Sequence, residues 1–364
     1  MVTLFLCGDV MTGRGVDQIL PHPSAPEVSE PCVRDAREYV ALAELASGPI
    51  PRAVAPGYIW GDALEELAEA APDARIINLE TSVTTCDDYS IDKVINYRMH
   101  PDNITCLTAA RIDACVLANN HVLDYGYAGL EETLDTLAAA GLKAAGAGRD
   151  ITEARRPGII DLPDGSRVLV FALGTQSSGI PGTWGATPIR PGVDLLEDLS
   201  PATADQILRR VGRVKRPGDI VVASIHWGSN WGYEVPRAHV QFAHRLIDGD
   251  VDIVHGHSSH HPRPIELYRN KLVLYGCGDF IDDYEGITGF KAFRDDLVLL
   301  YLPTVDPHNG ELLRLRITPF RIRRMRLNRV SPDDAAWLRD TIHRVSCEFG
   351  TAVDLAGDGA LTLC

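Results

Sequence analysis

Closely spaced cysteine pairs, an excess of basic residues, an apolar run of membrane-spanning length and internal repeats are all missing from this 364-residue chain. Each absence closes off a class of function. The eight cysteines (Cys7, Cys32, Cys86, Cys106, Cys115, Cys277, Cys347 and Cys364) show no C-x-x-C spacing, so neither a thiolate zinc site nor a disulfide framework is expected. Buried free thiols in a reducing compartment fit better. Lys and Arg number 35 against 50 Asp and Glu, a formal charge of −15. That excludes nucleic acid as a partner, because such binding depends on neutralising phosphates. It also disfavours a long polyanionic substrate unless a local basic patch or a metal offsets the field. No apolar segment is long enough to span a bilayer, and Val2–Cys7 is too short and lacks the basic flank of a secretory signal. The expectation is a cytoplasmic protein with no membrane partner.

What is present is an alternation of strand-like and helix-like segments. Strand candidates are Thr3–Cys7, Arg75–Leu79, Ala114–Ala118, Arg167–Ala172, Asp219–Ile225, Asp252–His255, Lys271–Gly276 and Asp296–Leu302, with helical periodicity over Gly61–Ala71, Gly129–Ala140 and Arg237–Asp248. This order implies βαβ units, and two turn-separated pairs, Gly158–Asp161 with Arg167–Ala172 and Pro264–Tyr268 with Lys271–Gly276, predict hairpins. A mixed α/β sandwich accommodates both. Residues 1–330 read as one catalytic domain carrying a proline-rich loop insertion at 21–57, with one short helix over Asp35–Ala46; residues 331–364 read as a helix, Asp333–Phe349, and a loose end. A second loop, Gln176–Pro191 around Trp184, is a candidate wall of a cleft.

Several strand candidates end in polar clusters: Gly8-Asp9-Val10-Met11, Asn78-Leu79-Glu80, Asn119-Asn120-His121 with Asp124, Ser224-Ile225-His226-Trp227, and His255-Gly256-His257-Ser258-Ser259-His260. Open α/β sheets bind ligands at that edge. Imidazole, carboxylate and amide donors without thiolates suit Zn, Mn, Fe or Ca. A lone Asp9 reads best as a turn cap, and Asn119-Asn120 as a turn, yet a polar triplet directly after Cys115–Ala118 is costly to bury without a task. Asp124 serves equally as a helix cap. Trp227 reads equally as core or as pocket wall, and Arg14 and Arg98 have the reach of anion clamps, Arg98 fitting a surface ion pair better.

Taken in order, these motifs, with Gly13-Arg14, Ile225-His226-Trp227-Gly228 and Gly256-His257 with His260, resemble those of CapA-like proteins from Leu4 to about Phe280. That family is a branch of the calcineurin-like metallophosphoesterase superfamily named for poly-γ-glutamate capsule synthesis. The resemblance implies a calcineurin-like α/β sandwich with mixed central sheets and one or two divalent ions. It implies that Asp9, Glu80 and His260 hold one metal position, that Glu80, Asn120, His226 and His257 hold the other, and that His121 is an uncoordinated acid/base. His255 and His261 are then wall residues.

Three departures stand out. Met11 occupies the His position of the superfamily's first motif, as is common in this branch. Ser258 replaces a further His, and Asp279 stands where the branch usually has Asn. The branch includes an enzyme that epimerises the C-terminal residue of a lasso-peptide precursor. Two imidazole–carboxylate pairs around one metal would suit such proton transfer at Cα, with His121 as one base and His260 or His257, partnered by Asp279 or Asp9, as the other. The expected activity is therefore metal-dependent epimerisation of a peptide substrate. The alternatives are metal-dependent hydrolysis of a phosphoester or amide, and a CapA-type role in poly-γ-glutamate synthesis.

Overall fold

The computed structural model describes residues 1–90, 93–287, 289 and 291–364. Its framework is two facing sheets. In the larger one the strands lie in the order Val353–Leu355, Leu361–Leu363, Leu312–Ile322, Leu297–Val305, Val2–Val10, Ala74–Leu79, Ala114–Val116 and Lys143–Ala145, with Asp279–Ile281 added beside Val2–Val10 and Leu327–Arg329 beside Leu312–Ile322. The smaller runs Ile265–Tyr268, Lys271–Leu274, Ile253–His257, Ile220–His226, Arg167–Gly174 and Gly158–Asp161. Val2–Val10 lies parallel to Ala74–Leu79 and to Asp279–Ile281 but antiparallel to Leu297–Val305, and both expected hairpins are antiparallel pairs. The sheets are thus mixed, as expected.

Strand pleating decides which side chains meet. Along Arg167–Gly174, Val168, Val170 and Ala172 enter the core shared with the larger sheet. Leu169, Phe171 and Leu173 enter a second core beneath the helices Pro201–Val214 and Arg237–Asp248. Ile220 and Val222 part from Val221 and Ala223 in the same way, and Ile253 from Val254. A sheet covered on both faces needs apolar residues at every position, which explains these unbroken apolar runs. Carrying the alternation onward puts Ser224 and His226 on the face of Val222, and His255 and His257 on the face of Ile253. Four polar side chains therefore enter the layer between the sheets.

Three expectations change. The first strand runs to Val10, so Asp9 lies inside it and not in the turn beyond. The helix Pro201–Val214 and the strand Leu312–Ile322 were not anticipated; in the strand, arginines break the apolar alternation, and Arg316 is held by Glu66 and Asp358. The C-terminal helix spans Pro332–Ser346, and the loose end expected after it pairs as Val353–Leu355 and Leu361–Leu363 onto the larger sheet. The short helix of the 21–57 loop forms over Arg37–Ser47. All eight cysteines are free. Among the described residues no helix is long and apolar enough to cross a membrane.

The closest approach in the larger sheet is made at Gly8. A Cβ there would sit 1.5 Å from the Gly278 carbonyl oxygen, the group that accepts from Asp9 N at 3.0 Å. Only glycine lets Val2–Val10 and Asp279–Ile281 pair this tightly. Gly8→Ala is expected to lower stability by about 3 kcal/mol or more, the upper end of overpacking costs, as read from urea unfolding. Wild-type stability in the variant would mean that Gly278 can retreat without cost.

Candidate metal centre

The tight pairing at Gly8 aligns three polar residues across neighbouring strands: Asp9 is the Cα partner of Asn78 on one side and of Asp279 on the other. Asn78 Nδ2 donates to Asp9 Oδ1 at 2.7 Å and to Glu80 Oε2 at 3.2 Å. The next strand contributes Asn119, whose Nδ2 donates to Asn78 Oδ1 at 3.0 Å and to the Leu79 carbonyl at 2.8 Å. Asn119 Oδ1 accepts from the backbone N–H groups of His121 and Val122, shaping the turn that presents Asn120 and His121. Neither Asn78 nor Asn119 was singled out from the sequence as a site residue. Both act as braces.

From the other sheet, a hydrogen-bond relay fixes the histidine tautomers. His255 Nε2 lies 2.7 Å from the Cys7 carbonyl oxygen, which only accepts, so Nε2 carries the proton and Nδ1 is bare. Ser224 Oγ donates to that Nδ1 at 3.0 Å and accepts from His257 Nε2 at 2.9 Å. The His257 proton is thereby committed to Nε2. Its bare Nδ1 faces His226 Nδ1 at 2.8 Å, with Asp9 Oδ1 at 3.9 Å.

His226 meets acceptors at both ends. Beyond Nε2 lie Asn120 Oδ1 at 2.9 Å and Glu80 Oε1 at 3.9 Å. A neutral imidazole has one proton for two such neighbours, and burial holds His226 well below its ordinary pKa, against the imidazolium that would satisfy both. With the Asn120 amide oriented this way, one lone pair must face another. A divalent cation relieves that opposition, and the donors around it (two imidazoles, carboxylates and an amide oxygen) suit a borderline or hard ion.

The carboxylates bear the same mark. Burial, then the neighbouring Asp279, pushes Asp9 up to about 7, and burial together with Asp9 raises Glu80 well above its usual range. Ser258 N–H donates to Asp9 Oδ2 at 3.2 Å. The residue at the position of the missing histidine thus holds the carboxylate through its backbone.

Two imidazoles, each paired with a buried carboxylate, line the opening. His121 Nδ1 is 2.6 Å from Asp124 Oδ2 and its Nε2 is 3.8 Å from Glu80 Oε1. Asp124 is fully buried and also accepts from Tyr97 N–H and from Lys93, whose ammonium lies 3.2 Å from His121 Nδ1 and bonds the Asn120 carbonyl. Burial draws His121 down to about 4, with Asp124 opposing and Lys93 assisting. On the other side His260 Nδ1 is 2.9 Å from Asp279 Oδ1, and its Nε2 is 2.9 Å from Asn230 Nδ2. Glu80, Lys93, Tyr97, Asn120, His121, His226, Ser258, His260 and Tyr284 are among the residues lining a cavity of 260 Å³.

The structure therefore brings together Asp9, Glu80, Asn120, His121, Asp124, His226, His257, His260 and Asp279. The grouping differs from the one the resemblance implies. Asp9, not Glu80, is common to the two clusters of metal-competent atoms, Asp9 with His226 and His257, and Asp9 with His260 and Asp279. Three expected substrate contacts lie elsewhere. Arg14 is buried and committed to Asp283 and Glu30, with its guanidinium over the Tyr39 and Tyr97 rings. Arg98 bonds Asp87 and the Cys86 carbonyl over Tyr125. Trp227 is core: it stacks on His239 and donates to the Tyr275 carbonyl at 3.0 Å. The loop 176–191 meets the centre through Ser178, whose hydroxyl, with that of Thr175 just before the loop, donates to the His226 carbonyl. Lys93 was missed because nothing in its local sequence marks it.

The sequence model of the family described as bacterial capsule synthesis protein PGA_cap matches residues 3–284. A probable polyglutamine synthesis accessory protein of Mycobacterium tuberculosis is 51% identical over 362 residues, 99% of this chain and 95% of that protein. The PGA biosynthesis protein CapA of Bacillus subtilis is 28% identical over 81% of this chain and 66% of its own length. The capsule biosynthesis protein CapA of Bacillus anthracis is 26% identical over 58% of this chain and 49% of its own length. Two mixed sheets enclosing a centre of this composition, the motif order and these matches agree: the chain belongs to the bacterial capsule synthesis protein family, built on an α/β sandwich of the metallophosphoesterase type.

Proposed function

We propose that the chain is a metal-dependent hydrolase of an amide or phosphoester bond, acting in the synthesis of a glutamate-type polymer. The observation that carries this reading is one cavity lined by the metal-competent donors Glu80, Asn120 and His226 together with His121, whose Nδ1 is paired with the buried Asp124. The relatives' names, polyglutamine synthesis and PGA biosynthesis, favour a capsule-polymer role over peptide epimerisation.

When bound, a divalent ion supplies Lewis acidity, polarising the bond to be cleaved and acidifying a water molecule. Asp9, Glu80, Asn120, His226 and His257 are the residues that hold it. Asp124 accepts from His121 Nδ1, so the neutral ring presents a bare Nε2 toward the cavity beside Glu80, where it takes a proton from the attacking water and returns it to the leaving group. Lys93 and Tyr97 N–H keep the Asp124 carboxylate in place. A formal charge of −15 repels a polyanion at long range, so a bound cation would be the local attraction for an anionic chain end.

A second reading keeps a specific observation. His121 and His260, each paired with a buried carboxylate, Asp124 and Asp279, line the same cavity, and two such dyads are the equipment for moving a proton off and onto a Cα, as in a peptide epimerase. Deuterated water separates the readings: hydrolysis shortens or dephosphorylates the substrate and adds no carbon-bound deuterium, whereas epimerisation adds one deuterium per peptide at constant length. Mn²⁺-loaded protein is expected to cleave γ-glutamyl oligomers or bis-p-nitrophenyl phosphate. Absence of any cleavage, with deuterium gain in a candidate peptide, would transfer the function to the epimerase reading.

Two further outcomes follow from the roles assigned. His121→Ala should lower kcat by roughly a hundred- to ten-thousandfold, the span general acid catalysis supplies, with Mn²⁺ content unchanged; His226→Ala should lose both. Cation binding should also release protons. The folded, metal-free chain keeps a proton on Asp9 up to about pH 7, while the imidazoles are already neutral, so a cation must displace carboxylate protons below that pH. Affinity should rise by about tenfold per pH unit for each proton displaced and level off for Asp9 above about pH 7. Calorimetry in buffers of different ionisation enthalpy reads this directly, and pH-independent affinity between 6 and 7 would refute it.

A further inference from the structure

We infer that the cavity between the helix Pro201–Val214 and the segment Asp194–Leu196 is a groove for the body of an acidic polymer, a γ-linked glutamate chain, gripped by arginines. The cavity measures 450 Å³ and is lined by four arginines, Arg155, Arg209, Arg210 and Arg213, against two carboxylates, Asp194 and Glu197. A local excess of positive charge in a chain whose formal charge is −15 marks the place where an anion is drawn in. Asp194, 3% exposed, anchors two of the arginines: Arg210 Nη1 donates to its Oδ2 at 2.6 Å, and Arg155 Nε lies 3.5 Å from its Oδ1. The other two are uncommitted. Arg209 and Arg213 are exposed, and among the described residues their guanidiniums have no hydrogen-bond or ion-pair partner. The helix dipole accounts for a cation in the last turn, Arg213. It does not account for Arg209, a turn earlier, or for Arg155, which enters the cavity from the end of a separate helix, Ile151–Ala154.

The lining and the position of the cavity favour such a chain. Leu195, Leu196 and Ile207 also line it, apolar surface against which the main-chain methylenes of a γ-glutamyl unit pack. Among the described residues no aromatic ring does, so the bases of a nucleic acid have nothing to stack on. Arg209 and Arg213, four residues apart on one helix, stand about 6 Å apart along its axis. A γ-linked chain carries one carboxylate every five main-chain bonds, which, scaled from about 3.5 Å for the three bonds of an ordinary residue, is also about 6 Å when extended. The groove is tied to the metal centre as well. Leu195 bridges Gly174, which is the Cα partner of His226, so Leu195 and His226 lie two strand spacings apart, about 10 Å. Val193, next to Asp194, pairs with Gly185 beside Trp184, whose ring stands 5.1 Å from the Lys93 ammonium in the cavity of the centre. A chain held by the arginines needs only a few units to reach that cavity.

The inference rests on the reading above for the class of polymer and not for the reaction, and binding measured with chelator present keeps the two apart. Full-length chain is titrated into a fluorescent γ-linked glutamate dodecamer and followed by anisotropy. Wild type should bind it, more weakly as salt screens the arginines, and free glutamate at equal carboxylate concentration should not compete. Arg209→Gln combined with Arg213→Gln should weaken binding about tenfold, the loss expected of two exposed ion pairs, with circular dichroism and melting temperature unchanged. Arg237→Gln combined with Arg314→Gln removes the same charge from exposed positions outside the groove and should bind as wild type does. Full affinity in the first double variant, an equal loss in the second, or no binding by wild type overturns the groove. Tighter binding of single-stranded DNA of the same length, or of phosphatidylglycerol vesicles, overturns the polycarboxylate as its occupant. A dodecamer bound in the expected way by a chain that cleaves nothing would sustain the groove and remove the hydrolase reading alone.

Discussion

Everything at this centre depends on polar groups having to satisfy one another where water cannot reach. Asp9, Glu80, Asp279, His226 and His257 are all almost wholly buried between two sheets. Each carboxylate there is raised by desolvation and each imidazole lowered, so the layer tends toward neutrality from both sides. Proton placement inside it is then a matter of counting donors against acceptors. The count fails at His226, where two acceptors face the one imidazole proton, and among the described residues Asp279 Oδ2 has no hydrogen-bond partner.

The braces are as informative as the ligands. A chain of contacts from Asn119 through Asn78 to Asp9 ties three strands of one sheet, and the Cys7–His255–Ser224–His257 relay ties the first strand of that sheet to two strands of the other. The geometry of the centre is thus set by backbone positions deep in the framework and not by the loops that surround it.

Much of this was legible in the residues alone, for a simple reason. Strand-end motifs carry their own address: an apolar run fixes a strand, its alternation fixes a face, and the polar residues that follow inherit both. Asp9, Glu80, Asn120, His226 and His257 were readable that way. Residues acting through tertiary reach were not. Lys93 lies in a polar stretch with no period, and only folding brings it to Asp124. Arg14 looked like a free clamp because its partners, Glu30 and Asp283, are 16 and 269 positions away. The strand Leu312–Ile322 was hidden by arginines such as Arg316, whose counter-charges Glu66 and Asp358 are 250 and 42 positions away.

The Arg14 cluster constrains how this chain can change. Its guanidinium joins a residue of the 21–57 insertion, Glu30, to the segment that follows Asp279, through Asp283, with Tyr39 completing the cage. Losing Arg14 strands two buried carboxylates, a penalty of roughly 3–5 kcal/mol. The insertion is therefore not a free ornament: its Glu30 and Tyr39 share one guanidinium with Asp283, so a lineage that loses Arg14 must also replace Glu30 and Asp283.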